Sequence, residues 1–260
     1  MSIHKLIFRL DFEPNFQVID SPGRILQLLH EAGGGKDWPE LGETREKRTI
    51  TGKIFDREGG WLASITIDPV AISGYMESIS GLSLEKIEDS TPISRLFRIT
   101  NKIRQEFSIN IFKRTGLRMF LFETEEETNL VKSACQKGFY RLYEQDLLSV
   151  LQENLGSSTD CGMAFDGIND EEMQYHIKWG PYRESELRQH LKEFHSIYKN
   201  CSSDPFPPDE NIILTIDIDL FETDHSISES ISLAKWCRPM IERTLKLRKE
   251  LFEIIKTKTE

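Results

Sequence analysis

The chain has 260 residues, of which 38% are hydrophobic and 29% are charged, and its formal net charge is −10. This composition is typical of a soluble globular protein and excludes a largely disordered chain. The negative net charge disfavours a protein whose whole surface binds nucleic acid. No apolar run approaches the roughly 20 residues that a membrane-spanning helix needs. The first residues predict a strand and no secretory signal, so the expected location is the cytoplasm.

The first third of the chain opens with a strand and a short helix. Hydrophobic and polar side chains alternate over 5–13, which predicts a strand with one buried face. Pro22 is suited to the first turn of the helix that follows. The glycine-rich segment 32–42 predicts a loop. It does not fit a phosphate-binding loop, because Lys36 is followed by Asp37 where that motif requires Ser or Thr.

The rest of the chain predicts strands interspersed with helices. Further strands are predicted over 48–56, 60–68, 70–76, 114–123, 162–166, 173–179 and 213–225. Helices are predicted over 91–107, 125–137, 145–154 and 183–198. For the long final helix, Ser226 and Glu229 predict a capping box at its start, and Pro239 predicts a kink.

This order of elements is neither a strict alternation of strand and helix nor a run of strands alone. It predicts an α+β fold, with mostly antiparallel sheets in two similar halves, helices packed on one face and a long C-terminal helix. The halves are predicted at 1–140 and 141–260, either as two units or as one continuous domain.

Cysteine and histidine spacing excludes several common kinds of site. No two of the four cysteines stand at C-x-x-C spacing, which gives no sign of zinc binding or redox chemistry and predicts free thiols in a reducing compartment. The cysteines are Cys135, Cys161, Cys201 and Cys237. The histidines lack the spacing of a metal-binding helix. We therefore expect no cofactor.

Two aspartates of the 213–225 strand are the first candidate site. Asp217 and Asp219 lie on one face of this strand, opposite a face of isoleucine and leucine. The favoured interpretation is an ordinary half-buried strand, with Arg114 and Arg118 of a neighbouring strand as partners of these carboxylates. The alternative is a metal-dependent phosphodiesterase or nucleotidyl-transfer enzyme, with the two aspartates as metal ligands and the two arginines binding phosphate.

A basic run over 95–118 is the second candidate. It holds seven basic residues and a single acid, Glu106. Such a run is suited to an acidic partner, to phosphates or to nucleic acid, although the favoured interpretation is a solvated helix face. The residues predicted to form this binding patch are Arg95, Arg98, Lys102, Arg114 and Arg118.

Four short motifs occur in a characteristic order: LIFRLDFEP, SITIDPVAISGYMES, RTGLRMF and ILTIDIDLF. In these motifs the chain resembles a sporadically distributed family of uncharacterised bacterial and archaeal proteins of similar length. The resemblance covers nearly the whole chain and implies an architecture but no activity.

The sporadic occurrence of that family implies genes that move together, as those of toxin–antitoxin and phage-defence cassettes do. With no catalytic motif in the chain, we expect a non-catalytic subunit that binds another protein. The final helix is expected to offer Trp236, Leu247, Leu251 and Phe252 to a partner or to a second copy of the chain. Metal-dependent catalysis and nucleic-acid binding through the basic run remain the alternatives.

Overall fold

The computed structural model describes nine strands and four helices. The described residues are 3–32, 40–44, 48–56, 61–82, 92–122, 150, 153–154, 162–183, 212–227 and 232–259. The strands are β1 (Ile3–Asp11), β2 (Glu40–Thr44), β3 (Thr49–Asp56), β4 (Trp61–Asp68), β5 (Ala71–Leu82), β6 (Ile111–Phe122), β7 (Met163–Ile168), β8 (Gln174–Arg183) and β9 (Ile212–Ser226). The helices are α1 (Phe16–Asp20), α2 (Pro22–Ala32), α3 (Pro92–Glu106) and α4 (Leu233–Thr259). Within these ranges, none of the helices is both long enough and apolar enough to cross a bilayer.

All nine of the described strands form one antiparallel sheet in the order β2-β3-β4-β5-β1-β6-β9-β8-β7. The predicted α+β class with a long C-terminal helix is confirmed, and the strands of both halves share a single sheet.

The two halves of the chain repeat one arrangement of strands. In the first half, β1 is central and the strands from β2 to β5 fill the sheet from its outer edge inward, so that β5 pairs with β1. In the second half, β6 is central and β7 to β9 fill the sheet from the opposite edge, so that β9 pairs with β6. A helix follows each set of strands, and the two helices, α3 and α4, contact each other. The repeat begins again between α3 and β6, and the boundary predicted at residue 140 lies outside the described residues.

The main core lies between the helices and one face of the sheet. In β1 the alternate residues Leu6, Phe8 and Leu10 are fully buried, as the period of the sequence predicts. Phe8 meets Phe97 of α3 edge to face, with the ring centroids 5.5 Å apart. Burial of this apolar surface is the main favourable contribution to folding.

Side chains that bond to nearby backbone groups fix the turns and helix ends. The Asp68 carboxylate accepts hydrogen bonds from the backbone N–H groups of Val70 and Ala71, at 2.9 and 2.7 Å, and so shapes the β4–β5 turn. Asn169 accepts from Glu171 and Met173 in the same way between β7 and β8.

A buried arginine ties α3 to the second half of the chain. Arg104, 2% exposed, donates hydrogen bonds to the backbone oxygens of Ile227 (2.9 Å) and Ile109 (3.3 Å). The neighbouring Asn101 side chain accepts a bond from the N–H of Leu233, the first residue of α4. Although Arg104 adds to the basic run of the sequence, its guanidinium serves the fold and not the surface.

Two sequence predictions are wrong. The loop predicted over 32–42 ends in a strand, because β2 begins at Glu40 and pairs with β3 along its length. The predicted capping box is also wrong, because Ser226 is the last residue of β9. The hydroxyl of Ser232 instead accepts from the N–H of Lys235 at the start of α4, which continues through Pro239.

Several predictions fall outside the described residues. These are the helices over 125–137, 145–154 and 183–198, in whole or in most of their length. Three of the four cysteines, Cys135, Cys161 and Cys201, also lie outside the described residues. The fourth, Cys237, is a free buried thiol, and burial raises its pKa.

A close approach of backbone and ring makes Gly74 sensitive to substitution. A Cβ at Gly74 would lie 2.6 Å from Cζ of Phe8, the residue directly opposite, and 3.1 Å from the Ser64 backbone oxygen. We expect Gly74→Ala to lower the free energy of unfolding by about 1–3 kcal/mol, because the buried ring must move. Gly23→Ala is the matched control in urea denaturation, since nothing lies within 4 Å of that Cβ, and it should gain up to about 1 kcal/mol of stability. Equal effects of the two substitutions would contradict this packing.

The buried His4 predicts a pH dependence of stability. Burial, together with the nearby positive charge of Arg248, lowers the pKa of His4 from 6.5 to about 3. Between these two pH values the unfolded chain binds a proton on His4 that the folded chain does not bind. The contribution of the neutral ring to stability is therefore fully present above pH 6.5 and is lost as the pH falls. We expect a slope of up to about 1.4 kcal/mol per pH unit from this one group.

Chemical denaturation of the wild type and His4→Gln between pH 7 and pH 4 measures that slope. The free energy of unfolding of the variant should depend less steeply on pH than that of the wild type, by the slope that the uptake of about one proton produces. His30→Gln, at an exposed position of α2, controls for the substitution itself. Parallel pH profiles for the wild type and His4→Gln would refute the burial of a neutral ring.

Candidate functional site

The sheet face that points away from α3 carries a network of charged side chains that extends from β5 to the β7 edge of the sheet. We call it the charged face. Its charged members are Lys5, Arg9 and Asp11 of β1, Glu77 of β5, Arg114 and Arg118 of β6, Asp217 and Asp219 of β9, His176 and Lys178 of β8, and Asp166 of β7. The strand register explains this grouping, because residues directly opposite each other on neighbouring strands share a face.

One cross-strand row shows how the charges alternate. Arg118 lies directly opposite Asp219, which lies opposite His176, which in turn lies opposite Asp166 at the sheet edge. His176 Nδ1 contacts the Asp166 carboxylate. The row therefore alternates acidic and basic side chains across four strands, an arrangement that favours cross-strand pairing.

The pair of Arg118 and Asp217 is the most buried ion pair of β6 and β9. Nε of Arg118 donates to one carboxylate oxygen at 2.7 Å, and a second guanidinium nitrogen donates to the other, so the contact is bidentate. This hydrogen bonding raises the pKa of Arg118. The Asp217 side chain is only 2% exposed, whereas that of Arg118 is 43% exposed.

A second pair joins Arg114 to Asp219, with 3.0 Å between Nη2 and Oδ2. The guanidinium of Arg114 also lies over the Phe221 ring, 4.4 Å from its centroid. Gly116 lies opposite Phe221, and a Cβ there would be 3.3 Å from Cβ of Phe221. The pairing of both aspartates with Arg114 and Arg118, predicted from the sequence, is confirmed.

In four ion pairs of the charged face, the basic side chain is more exposed than the acidic one. The exposed fractions are 20% and 1% for Lys5 and Glu77, 55% and 23% for Arg9 and Asp11, 36% and 24% for Arg114 and Asp219, and 43% and 2% for Arg118 and Asp217. Lysine and arginine are the longer side chains, so their charged ends reach past the carboxylates. The face thus presents cations to solvent above a layer of acids.

Among the described ion pairs of this face, the acid is more exposed than the base only at the edge of the sheet. On β7 and β8, Asp166 is 77% exposed and His176 is 36% exposed. The cationic layer therefore does not extend to β7.

The metal hypothesis meets a competing interaction at the same carboxylates. Asp217 and Asp219 each hold a guanidinium, and a divalent cation would have to displace it. The described residues contain no group of three or more His, Cys, Asp or Glu side chains close enough to hold a metal ion.

The predicted basic patch is divided between two sides of the sheet. Arg95, Arg98 and Lys102 lie on α3, which packs on the helix-covered face through residues such as Phe97. Arg114 and Arg118 lie on the charged face. The five residues therefore do not form one continuous surface.

The four residues predicted to form a docking surface on the last helix contact the protein's own core. Trp236, Leu247, Leu251 and Phe252 are partly buried against the core cluster.

Of the eleven charged members of this face, sequence reasoning singled out only Arg114, Arg118, Asp217 and Asp219. Lys5, Arg9 and Asp11 alternate with buried residues of β1, which is a readable signal. The grouping of the whole face depends on which distant strands are neighbours, and that order is not readable from one sequence.

Replacing both aspartates separates the structural interpretation from the metal hypothesis. We expect Asp217→Asn, Asp219→Asn to lower stability by about 1–3 kcal/mol, because the guanidiniums lose their charged acceptors. We expect Mg²⁺ and Mn²⁺ to raise the melting temperature of neither protein in a thermal-shift titration. Arg24→Gln is the control, since its pair with Glu106 is exposed and away from the charged face. Stabilisation of the wild type alone by a metal would instead support a metal-dependent enzyme.

Comparison with known proteins identifies no relative of this chain. No protein-family model matches the chain, and neither a curated protein nor a solved structure matches it. Membership of the sporadic family stays a prediction, and the site is interpreted from its own geometry.

Proposed function

We propose that this chain is a non-catalytic, cytoplasmic protein-interaction subunit, and that its charged face binds an acidic surface of a partner protein. The observation that carries the proposal is the order of depth in the ion pairs, with cations outermost and acids beneath. A partner that approaches this face meets guanidinium and ammonium groups first.

The buried acids support recognition because they hold the cations in place. Arg118 is fixed by a bidentate contact, and Arg114 by a carboxylate and an aromatic ring. A fixed side chain loses less conformational entropy when it binds, so more of the interaction energy remains as affinity. Guanidinium groups are suited to paired contacts with carboxylates.

An acidic protein fits this face better than nucleic acid does. The charged face contains nearly as many acids as bases, so it lacks the strong positive field that long-range attraction of phosphates requires. Alternating charges instead favour one register of a partner, because a shifted partner meets like charges.

The family resemblance favours a partner encoded nearby, in a small gene cassette of the toxin–antitoxin or phage-defence type. Co-expression of the chain with the products of the adjoining genes, followed by purification of the complex, identifies that partner. Surface plasmon resonance on the purified complex then supplies the association rate and affinity.

Two lysines on opposite sides of the sheet give a matched test. Lys178 is exposed on the charged face, and Lys102 is exposed on α3. We expect Lys178→Glu to weaken partner binding by about tenfold or more, because like charges then face each other across the interface. Lys102→Glu, which changes the net charge equally, should leave the affinity within about twofold.

The salt dependence provides the second readout. The association rate of the wild type should fall as NaCl rises from 50 to 500 mM, because salt screens exposed charges, and the fall should be smaller for Lys178→Glu. Equal effects of the two lysine substitutions, or binding lost only on Lys102→Glu, would exclude the charged face as the interface.

A further inference from the structure

A cavity lies on the other side of the sheet, where α1 and α2 cover β3 and β4. Its volume is about 170 Å³. It is lined by Val18, Ile19, Pro22, Ile25, Arg48, Ile50 and Ile67. Protein interiors are close-packed, so an unfilled space of this size beside the core is not an ordinary packing gap.

Most of the side chains that line the cavity are aliphatic, and four of them belong to the hydrophobic core. Val18, Ile25, Ile50 and Ile67 are each at most 4% exposed. Enclosed apolar cavities of about 150 Å³ hold a benzene molecule, and this cavity has a similar volume but opens to solvent. The space therefore suits a branched aliphatic or aromatic group of that size.

The mouth of the cavity carries one positive charge. Ile19 and Pro22 are partly exposed at the rim, and Arg48 is exposed beside them. Arg48 is the only ionisable residue of the seven that line the cavity. It precedes β3 directly and has a positive φ of 50°, a conformation that few residues other than glycine adopt.

We propose that this cavity binds a small monocarboxylate, with the apolar part of the acid inside and its carboxylate on Arg48. Apart from Arg48, the lining side chains offer no hydrogen-bond partner to a sugar or a nucleobase, whose buried polar groups would need one. A planar carboxylate matches the guanidinium and can take two parallel N–H bonds from it. This site is separate from the charged face, and its occupation does not depend on the proposed partner.

Methyl-detected NMR tests the site with defined probes. The full chain, labelled with ¹³C at Ile and Val methyl groups, is titrated with 4-methylpentanoate and phenylacetate and with the corresponding neutral amides. We expect the methyl signals of Val18, Ile25, Ile50 and Ile67 to shift on addition of either acid. The acids should bind at least tenfold more tightly than the amides, with dissociation constants on the order of millimolar for ligands this small.

Three variants assign the two parts of the interaction. Arg48→Gln should abolish the preference for acid over amide, because it removes the cation. Ile19→Trp should abolish binding of both, because the larger side chain closes the mouth from a partly exposed position. Arg9→Gln, which removes an exposed arginine of the charged face, should bind the acids as the wild type does.

The proposal is overturned if the lining methyl groups do not shift at 20 mM acid. Equal affinity of acid and amide for the wild type also overturns it, as does a preference for acid that survives in Arg48→Gln. Unchanged binding by Ile19→Trp would place the ligand elsewhere and overturn it as well.

Discussion

The antiparallel pairing of β1 with β6 is the constraint on which the rest of the structure depends. Leu6, Phe8 and Leu10 of β1 lie opposite Met119, Leu117 and Thr115 of β6 at the centre of the sheet. Each central strand also pairs with the last strand of its own half, β5 or β9. The junction thereby joins the five strands of the first half and the four described strands of the second half into one sheet. It also brings α3 and α4 together on one face. It also sets the two faces apart, one apolar and covered by helices and one charged.

The charged face follows from the same pairing. Because opposite residues share a face, the register that buries Leu6 and Phe8 directs Lys5 and Arg118 to the other side. Each half places an ion pair between its central strand and the strand beside it, Lys5 with Glu77 and Arg118 with Asp217. The acids are almost fully buried, so these pairs also satisfy carboxylates that would otherwise be costly to withdraw from water. The same side chains therefore contribute both to the stability of the sheet and to the charge of its surface.

Local patterns in the sequence predict what depends on neighbouring residues. The alternation in β1 predicts its buried face, and the alternation in β9 predicts the shared face of Asp217 and Asp219. The arginine partners on β6 were also predictable, since opposite charges on two amphipathic strands attract. The class of the fold follows from the order of elements, although the single sheet does not.

Features set by long-range pairing were not predictable. The strand at Glu40–Thr44 has no hydrophobic alternation, and only its pairing with β3 makes it a strand. The start of α4 depends on Asn101 and Ser232 and not on Ser226. The basic run 95–118 looks continuous in one dimension, yet the sheet separates its helix from its strand. The Arg48 cavity joins segments from α1, α2, β3 and β4, so no local pattern marks it.

The central position of β1 has a consequence for the order of synthesis. This strand is made before both of its neighbours, yet β5 and β6 follow only after Ala71 and Ile111. At roughly 5–20 residues per second, the ribosome needs on the order of ten seconds to complete both neighbours. During that interval the nascent chain carries a strand whose apolar face is uncovered and whose two neighbours are not both complete, the kind of segment that chaperones bind. The most interior of the described strands therefore depends on neighbours that are made later in the chain.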